Sequence, residues 1–327
     1  MNTRIFGQTN SPVSETGLGC WQLGDDCWGD LSEATAEGIL QSAVDQGITF
    51  FDTADVYGAG RSESLIGRFI KTCSEEIFIA TKLGRGPGTW PNEYSKASLT
   101  AATEASLKRL GVETLDLTQL HCIPLEELRK GEVFEHMNTL QAEGKIRNWG
   151  VSVEDIEQAQ ACLDAEGLTS FQVIFNIFRQ KPVHELFDAA KARNIAIIVR
   201  LPMASGVLAG KFTGTETFAE NDHRNFNADG QMFNVGETFA GIPFPKAVEL
   251  ANELKALCPE GLTMPQFAMR WILDHDAVTT VIPGASRVAH VESNASASAL
   301  APLSSELHSQ LAAFYTEKVH AHIRGIY

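Results

Sequence analysis

Gly47-Ile48-Thr49-Phe50-Phe51-Asp52-Thr53-Ala54-Asp55-Val56-Tyr57-Gly58 joins a β-rich apolar run to a carboxylate, and a tyrosine follows five residues later. Consecutive Phe50 and Phe51 are expected of a strand covered on both faces. Asp52 then emerges from a core, where a carboxylate needs a partner. Two further segments repeat the pattern, residues 77–82 ending on Lys82 and residues 115–121 ending on His121. If these strand ends share one face of a barrel, an acid, a phenol, an amine and an imidazole form a proton-handling constellation.

Working outward, the chain alternates. Ser32 opens a helical stretch with Ala36, Ile39, Leu40, Ala43 and Val44 at helical spacing, stopped by Gly47. Further helices are expected over 62–71, 95–110, 125–143, 154–164, 183–194, 245–257 and 287–295, with strands over 77–82, 115–121, 148–152, 171–177, 195–201 and 279–282. With an early strand near 16–20 and the strand at Phe50, this makes eight β/α units over one domain, 1–327, and favours a closed (β/α)8 TIM barrel. A doubly wound sheet is the runner-up. It usually carries G-x-G-x-x-G, and Gly58-Ala59-Gly60 and Gly84-Arg85-Gly86 both lack the third glycine at the required spacing. Residues 203–244 are long and aperiodic, as expected of a covering loop after strand seven. Residues 303–327 read as an extra C-terminal helix with an aromatic end.

Composition narrows the function. In 327 residues with 44% hydrophobic content there is ample core, and no run of about 18 apolar residues or signal-peptide pattern stands out. A soluble, cytoplasmic protein is expected. The six cysteines show no Cys-x-x-Cys pair and read as free thiols. A formal charge of −15 disfavours nucleic acid and anionic membranes as partners, so a phosphate-bearing ligand needs a local basic pocket. A metal-dependent hydrolase is disfavoured because no His-x-His follows an early strand, and Gly150-Val151-Ser152-Val153-Glu154 lacks the closing glycine of G-x-S-x-G.

Taken singly, Asp52 reads as well as a cap, Tyr57 as a surface ring, Lys82 as a solvated amine and His121 as a core histidine. Together they make an acid catalyst. An unperturbed tyrosine titrates at about 10, and an adjacent ammonium stabilises its phenolate. Lys82 can supply that charge, Asp52 can orient Lys82, and His121 can hydrogen-bond an oxygen in the pocket.

The F-F-D-T-A-x-x-Y-G string, Ala80-Thr81-Lys82 and Leu120-His121 resemble the aldo-keto reductase superfamily, and the resemblance extends over essentially the whole chain. It implies a TIM barrel that binds NADP, with NADPH preferred over NADH, and a catalytic tetrad of Asp52, Tyr57, Lys82 and His121. Further cofactor contacts implied by the resemblance are Ser152 and Gln172 on the nicotinamide amide, and Gly206, Leu208, Gly210 and Lys211 over the pyrophosphate. Ser286 and Arg287 would take the 2′-phosphate, and Asn294 the adenine. Three positions depart from the family pattern: Val153 replaces an asparagine, Arg200 stands where an aromatic often stacks on nicotinamide, and His290 replaces arginine or glutamine. By position, Trp21, Trp28, Trp90, Cys122 and Tyr327 are candidates for the substrate wall. The expected activity is reduction of a small-molecule aldehyde or ketone, with no metal. The alternatives are a sugar or alcohol dehydrogenase running the reverse reaction and a non-catalytic redox-sensing subunit. Oligomeric state is not legible.

Overall fold

The computed structural model describes residues 1–24, 27–28 and 31–327. A hairpin of β1 (Thr3–Ile5) and β2 (Pro12–Ser14) precedes eight parallel strands: β3 (Leu18–Gly19), β4 (Phe50–Asp52), β5 (Phe78–Leu83), β6 (Leu115–His121), β7 (Ile146–Ser152), β8 (Leu168–Ile174), β9 (Ala196–Arg200) and β10 (Val278–Val281). Each pairs with the next in chain order. Parallel bridges Thr16 to Val281 and Gly19 to Gly284 bring the two edges together, so the sheet closes as the alternation predicts.

Helices cover the outside, α1 (Glu33–Asp45), α2 (Arg61–Ile70), α3 (Lys96–Leu110), α4 (Leu125–Lys130), α5 (Glu132–Ala142), α6 (Ile156–Cys162), α7 (Lys181–Glu185) and α8 (Phe187–Ala192); the short α9 (His223–Phe226) lies in the long loop, followed by α10 (Phe244–Leu254), α11 (Met264–Leu273), α12 (Val288–Ser296) and α13 (Ser305–Phe314). No helix among the described residues is long and apolar enough to cross a membrane.

Several boundaries differ from the sequence reading. The single helix expected over 125–143 breaks at Gly131, whose φ of 78° lies in the left-handed region that ends one helix and caps the next. The helix expected over 183–194 breaks at Leu186, which leaves helical geometry with φ −136°. The strand expected over 171–177 is β8, at Leu168–Ile174, and Phe175, Ile177 and Phe178 are buried beyond its end. Helix α11 was not expected, although Thr263 and Gln266 form a reciprocal capping box and Pro265 sits in its first turn. The tail forms α13, then a wider turn at Tyr315–Val319.

Strand alternation explains both the core and the site. Phe50 joins Phe6, Val13, Ala80, Leu117, Ala196, Ile198 and Ile282 in the barrel interior, whereas Phe51 belongs to the larger layer between sheet and helices. Two residues beyond the interior positions on four strands stand Asp52, Lys82, Gln119 and Arg200, on the same inward face. The apolar floor thus carries a polar storey above it. The hairpin seals the bottom, where Phe6 packs on Phe50 and Phe78 with ring centroids 5.7 and 5.0 Å apart. Phe6→Ala should destabilise the barrel by about 3–5 kcal/mol in denaturant unfolding. A loss below about 1 kcal/mol would show that the floor collapses around the vacancy.

Candidate active site

Lys82 is fully buried at the C-terminal end of β5, and its ammonium donates to Asp52 Oδ1 (2.5 Å), the Thr53 carbonyl (2.8 Å) and the Tyr57 hydroxyl (3.2 Å). Three acceptors match its three N–H donors. The other carboxylate oxygen of Asp52 accepts from Gln172 Nε2 at 2.7 Å and Gln119 Nε2 at 3.2 Å. Asp52 thereby accepts hydrogen bonds from three side chains. Gln119 was missed in the sequence reading, yet it alternates with Leu117 and His121 on the inward face of β6.

The phenol of Tyr57 is pushed up to about 12. Burial is the main cause, Lys82 opposes it, and the Asp52 charge partly offsets Lys82. The sequence expectation that Lys82 lowers the phenol is right in sign for that one charge but loses to desolvation. The hydroxyl stays protonated at neutral pH and is a loaded acid. The Tyr57 and His121 rings meet edge to face at 6.1 Å. His121 is held well below the ordinary histidine value by burial, then by Arg85, Lys82 and Arg200. Among the described residues its Nδ1 is buried without a partner, in keeping with a neutral imidazole whose Nε2 is left on the cavity side.

Tyr57 and His121 open on a cavity of about 880 Å³ that runs to the N-terminal end of α12. Trp21 lies over the Tyr57 ring at 5.9 Å and meets Trp28 edge-on at 5.6 Å, with Phe233 beside them. His223 packs between the two tryptophans, fully buried, and burial takes it down to about 4. Opposite this aromatic side lies an ionic one. Arg85 pairs with Glu154 and reaches Glu237 at 3.5 Å, while Arg200 reaches the other oxygen of Glu237 at 3.4 Å and donates to the Val153 carbonyl at 3.1 Å. Arg200 therefore lines the cavity as a compensated charge, its partner coming from the long loop. Glu237, His223 and Phe233 carried no periodic signal in that loop, and only the fold brings them here.

At the far end the cavity is bounded by Lys211, Ser286, Arg287, His290 and Asn294. Two glycines line the passage between the ends. Gly206 holds φ +95°, and at Gly284 a Cβ would lie 2.2 Å from Gln22 Oε1. Lys211 and Arg287 are cationic in a chain of net charge −15, and Ser286, Arg287 and His290 lie at the start of a nine-residue helix. That set fits a dinucleotide bearing an extra phosphate monoester.

The structure brings together Asp52, Tyr57, Lys82 and His121, and places Trp21, Trp28, Gln172, Arg200, Gly206, Lys211, Ser286, Arg287 and Asn294 on the same cavity, apart from Lys82, which stands behind Tyr57. Gln172 has its amide nitrogen on Asp52, leaving its carbonyl oxygen for a ligand. Ser152, in register between His121 and Gln172, is buried behind the wall with its hydroxyl 3.5 Å from the buried Cys122 sulfur. Leu208 and Gly210 belong to the turn that carries the wall rather than to its lining. Trp90 does not reach the cavity: it is 46% exposed, 5.9 Å from the Arg85 guanidinium. Tyr327 is also elsewhere, with its ring 4.2 Å from Arg179 and its hydroxyl on Tyr315.

The family model for the aldo/keto reductase family matches residues 15–316. Aldo-keto reductase YhdN of Bacillus subtilis (strain 168) is 31% identical over 305 residues, 89% of this chain and 87% of that protein. The glycerol dehydrogenase AKR11B4 from Gluconobacter oxydans is similar in structure, with a TM-score of 0.80, 27% identity, and 99% and 98% of the two chains covered. An aldo/keto reductase from Klebsiella pneumoniae solved in complex with NADP and acetate has a TM-score of 0.70, 27% identity, and 96% and 95% coverage.

The burial of His121 among three cations predicts that its imidazole does not titrate between about pH 6 and 8, where an ordinary histidine changes charge. Imidazole NMR resonances checked against His121→Asn test this. A midpoint of about 6.5 assigned to His121 would contradict the geometry.

Proposed function

The chain belongs to the aldo/keto reductase family and is an NAD(P)-dependent oxidoreductase, and we propose that it reduces an aldehyde or ketone to an alcohol with NADPH, Tyr57 delivering the proton. One observation carries this reading: the Lys82 ammonium bridges Asp52 and the hydroxyl of Tyr57 at the mouth of a cavity whose other end is basic. When bound, the dinucleotide supplies the hydride.

The protein's own part is binding and proton supply. His121, neutral, donates from Nε2 to the carbonyl oxygen and orients it toward the Tyr57 hydroxyl. As negative charge builds on that oxygen, the Tyr57 proton moves onto it, and the phenolate left behind faces Lys82 at hydrogen-bond distance. Asp52 keeps Lys82 charged and in place through the swap. Ser286 and Arg287 are assigned to the 2′-phosphate, Lys211 to the pyrophosphate, Asn294 to the adenine, and Gln172 to the nicotinamide amide, whereas Ser152 lies too deep to reach it. The aromatic side of the pocket takes the body of the substrate, with Trp21 and Trp28 as its walls.

Oxidation of an alcohol needs phenolate, whereas a Tyr57 hydroxyl raised to about 12 is protonated across neutral pH. The oxidative rate should therefore climb with pH. The complete set of four proton-handling residues supports an enzyme over a redox-sensing subunit.

Tyr57→Phe should lower carbonyl reduction by roughly 10²–10⁴-fold while NADPH binding, followed by fluorescence, is kept. A variant that retains more than about a tenth of single-turnover activity would move the proton donor elsewhere. Arg287→Ala should weaken NADPH by roughly ten- to a hundredfold and leave NADH nearly unchanged. Equal loss for both cofactors would mean that Arg287 contacts a group common to them.

A further inference from the structure

We propose that His290 is a proton-coupled determinant of cofactor choice: in the free protein it occupies Arg287, and a phosphate monoester at this end of the cavity draws a proton onto it, turning both side chains into donors to the phosphate. This rests on the NADPH reading above.

Around His290, donors outnumber the protein's own acceptors. Arg287 Nε donates to His290 Nε2 at 2.8 Å. An imidazole that accepts there carries its proton on Nδ1, which faces the Ser286 hydroxyl at 3.3 Å and the Ser286 backbone N–H at 3.4 Å. The hydroxyl oxygen can take the ring proton, but the backbone N–H then has no lone pair to meet. Arg287, the Ser286 N–H and the helix terminus are all donors gathered round one neutral ring. A phosphate brings three acceptor oxygens and removes the shortage.

The charges around the ring act in the same direction. Burial, then Arg287, then Lys211 hold His290 below the ordinary histidine value, so without a ligand it is neutral. Of the helices packed on α12, α1 carries Glu33, Glu37 and Asp45 and α11 carries Arg270, and Glu292 lies on α12 itself. Of the charged groups around the ring, Arg287 and Lys211 oppose its protonation. A dianion placed among these groups reverses the balance: it offsets both cations and favours the imidazolium. The ring then takes one proton from solvent on Nε2, and Arg287, released from it, turns its Nε–H to the phosphate. A cofactor without the 2′-phosphate offers no such charge, so its binding leaves His290 neutral.

The test is binding, with no turnover. Dissociation constants for NADP⁺ and NAD⁺ are measured on the full chain from about pH 7 to 9, above the second ionisation of a phosphate monoester at about 6. Calorimetry in buffers of different ionisation enthalpy counts the protons taken up. In the wild type the preference for NADP⁺ should strengthen as pH falls, by up to about tenfold per unit for one linked proton, with uptake on NADP⁺ and none on NAD⁺. His290→Gln should keep an acceptor for Arg287 yet show a flat preference and no uptake. His290→Lys, a fixed charge, should prefer NADP⁺ strongly at every pH. The same pH slope in wild type and His290→Gln, or no proton uptake with NADP⁺, would overturn the role of His290 while leaving NADPH as cofactor. Absence of NADP⁺ binding altogether would remove both.

Discussion

A fully buried ammonium is the constraint on which the rest of the active end depends. Taking Lys82 out of water costs several kcal/mol, and the protein recovers that cost only because Asp52, the Thr53 carbonyl and the Tyr57 hydroxyl satisfy all three N–H groups. Asp52 has the same difficulty with opposite sign and solves it with Lys82 on one oxygen and two glutamine amides on the other. Removing either charge alone leaves the other buried and unpaired, at about 3–5 kcal/mol. The arrangement is therefore stiff, and that stiffness sets the position of the Tyr57 oxygen.

The barrel makes this arrangement possible. Its interior is apolar where Phe6, Phe50 and Leu117 pack, and polar one pleat higher, so a single strand such as β4 supplies both a floor residue and a catalytic candidate within three positions. Charge is managed locally in the same way. The chain as a whole is acidic, yet Lys211 and Arg287 gather at one end of the cavity, and Arg85 and Arg200 near the other are neutralised by Glu154 and Glu237. An anionic ligand is thus drawn to the α12 end, while the other end presents a neutral histidine and a protonated phenol.

How legible all this was depends on how local the cause is. Strand ends bearing Asp52, Lys82 and His121 announced themselves because a charged or titratable residue directly after a buried run is costly and rarely idle. Gln119 obeyed the same alternation and could have been found by it. The split of the helix at Gly131 turned on a single left-handed residue, and α11 was hidden by the loop-like sequence that precedes its capping box. Glu237 and His223 could not have been found by spacing, because their positions are set by the path of a 42-residue connection, 203–244, across the barrel mouth. Trp90 and Tyr327 were placed in the pocket by order along the chain alone, and the fold turns one outward and docks the other on Arg179.

The central claim is that Lys82 acts on the reaction through Tyr57 and not independently of it. A double-mutant cycle of Lys82→Met and Tyr57→Phe, read as the single-turnover rate of carbonyl reduction at saturating NADPH, tests this most directly. The account predicts strong non-additivity: with the phenol already gone, losing the ammonium costs little more, and the double variant is about as slow as Tyr57→Phe alone. Losses that multiply would contradict it, because they would show that Lys82 and Tyr57 contribute to the transition state separately.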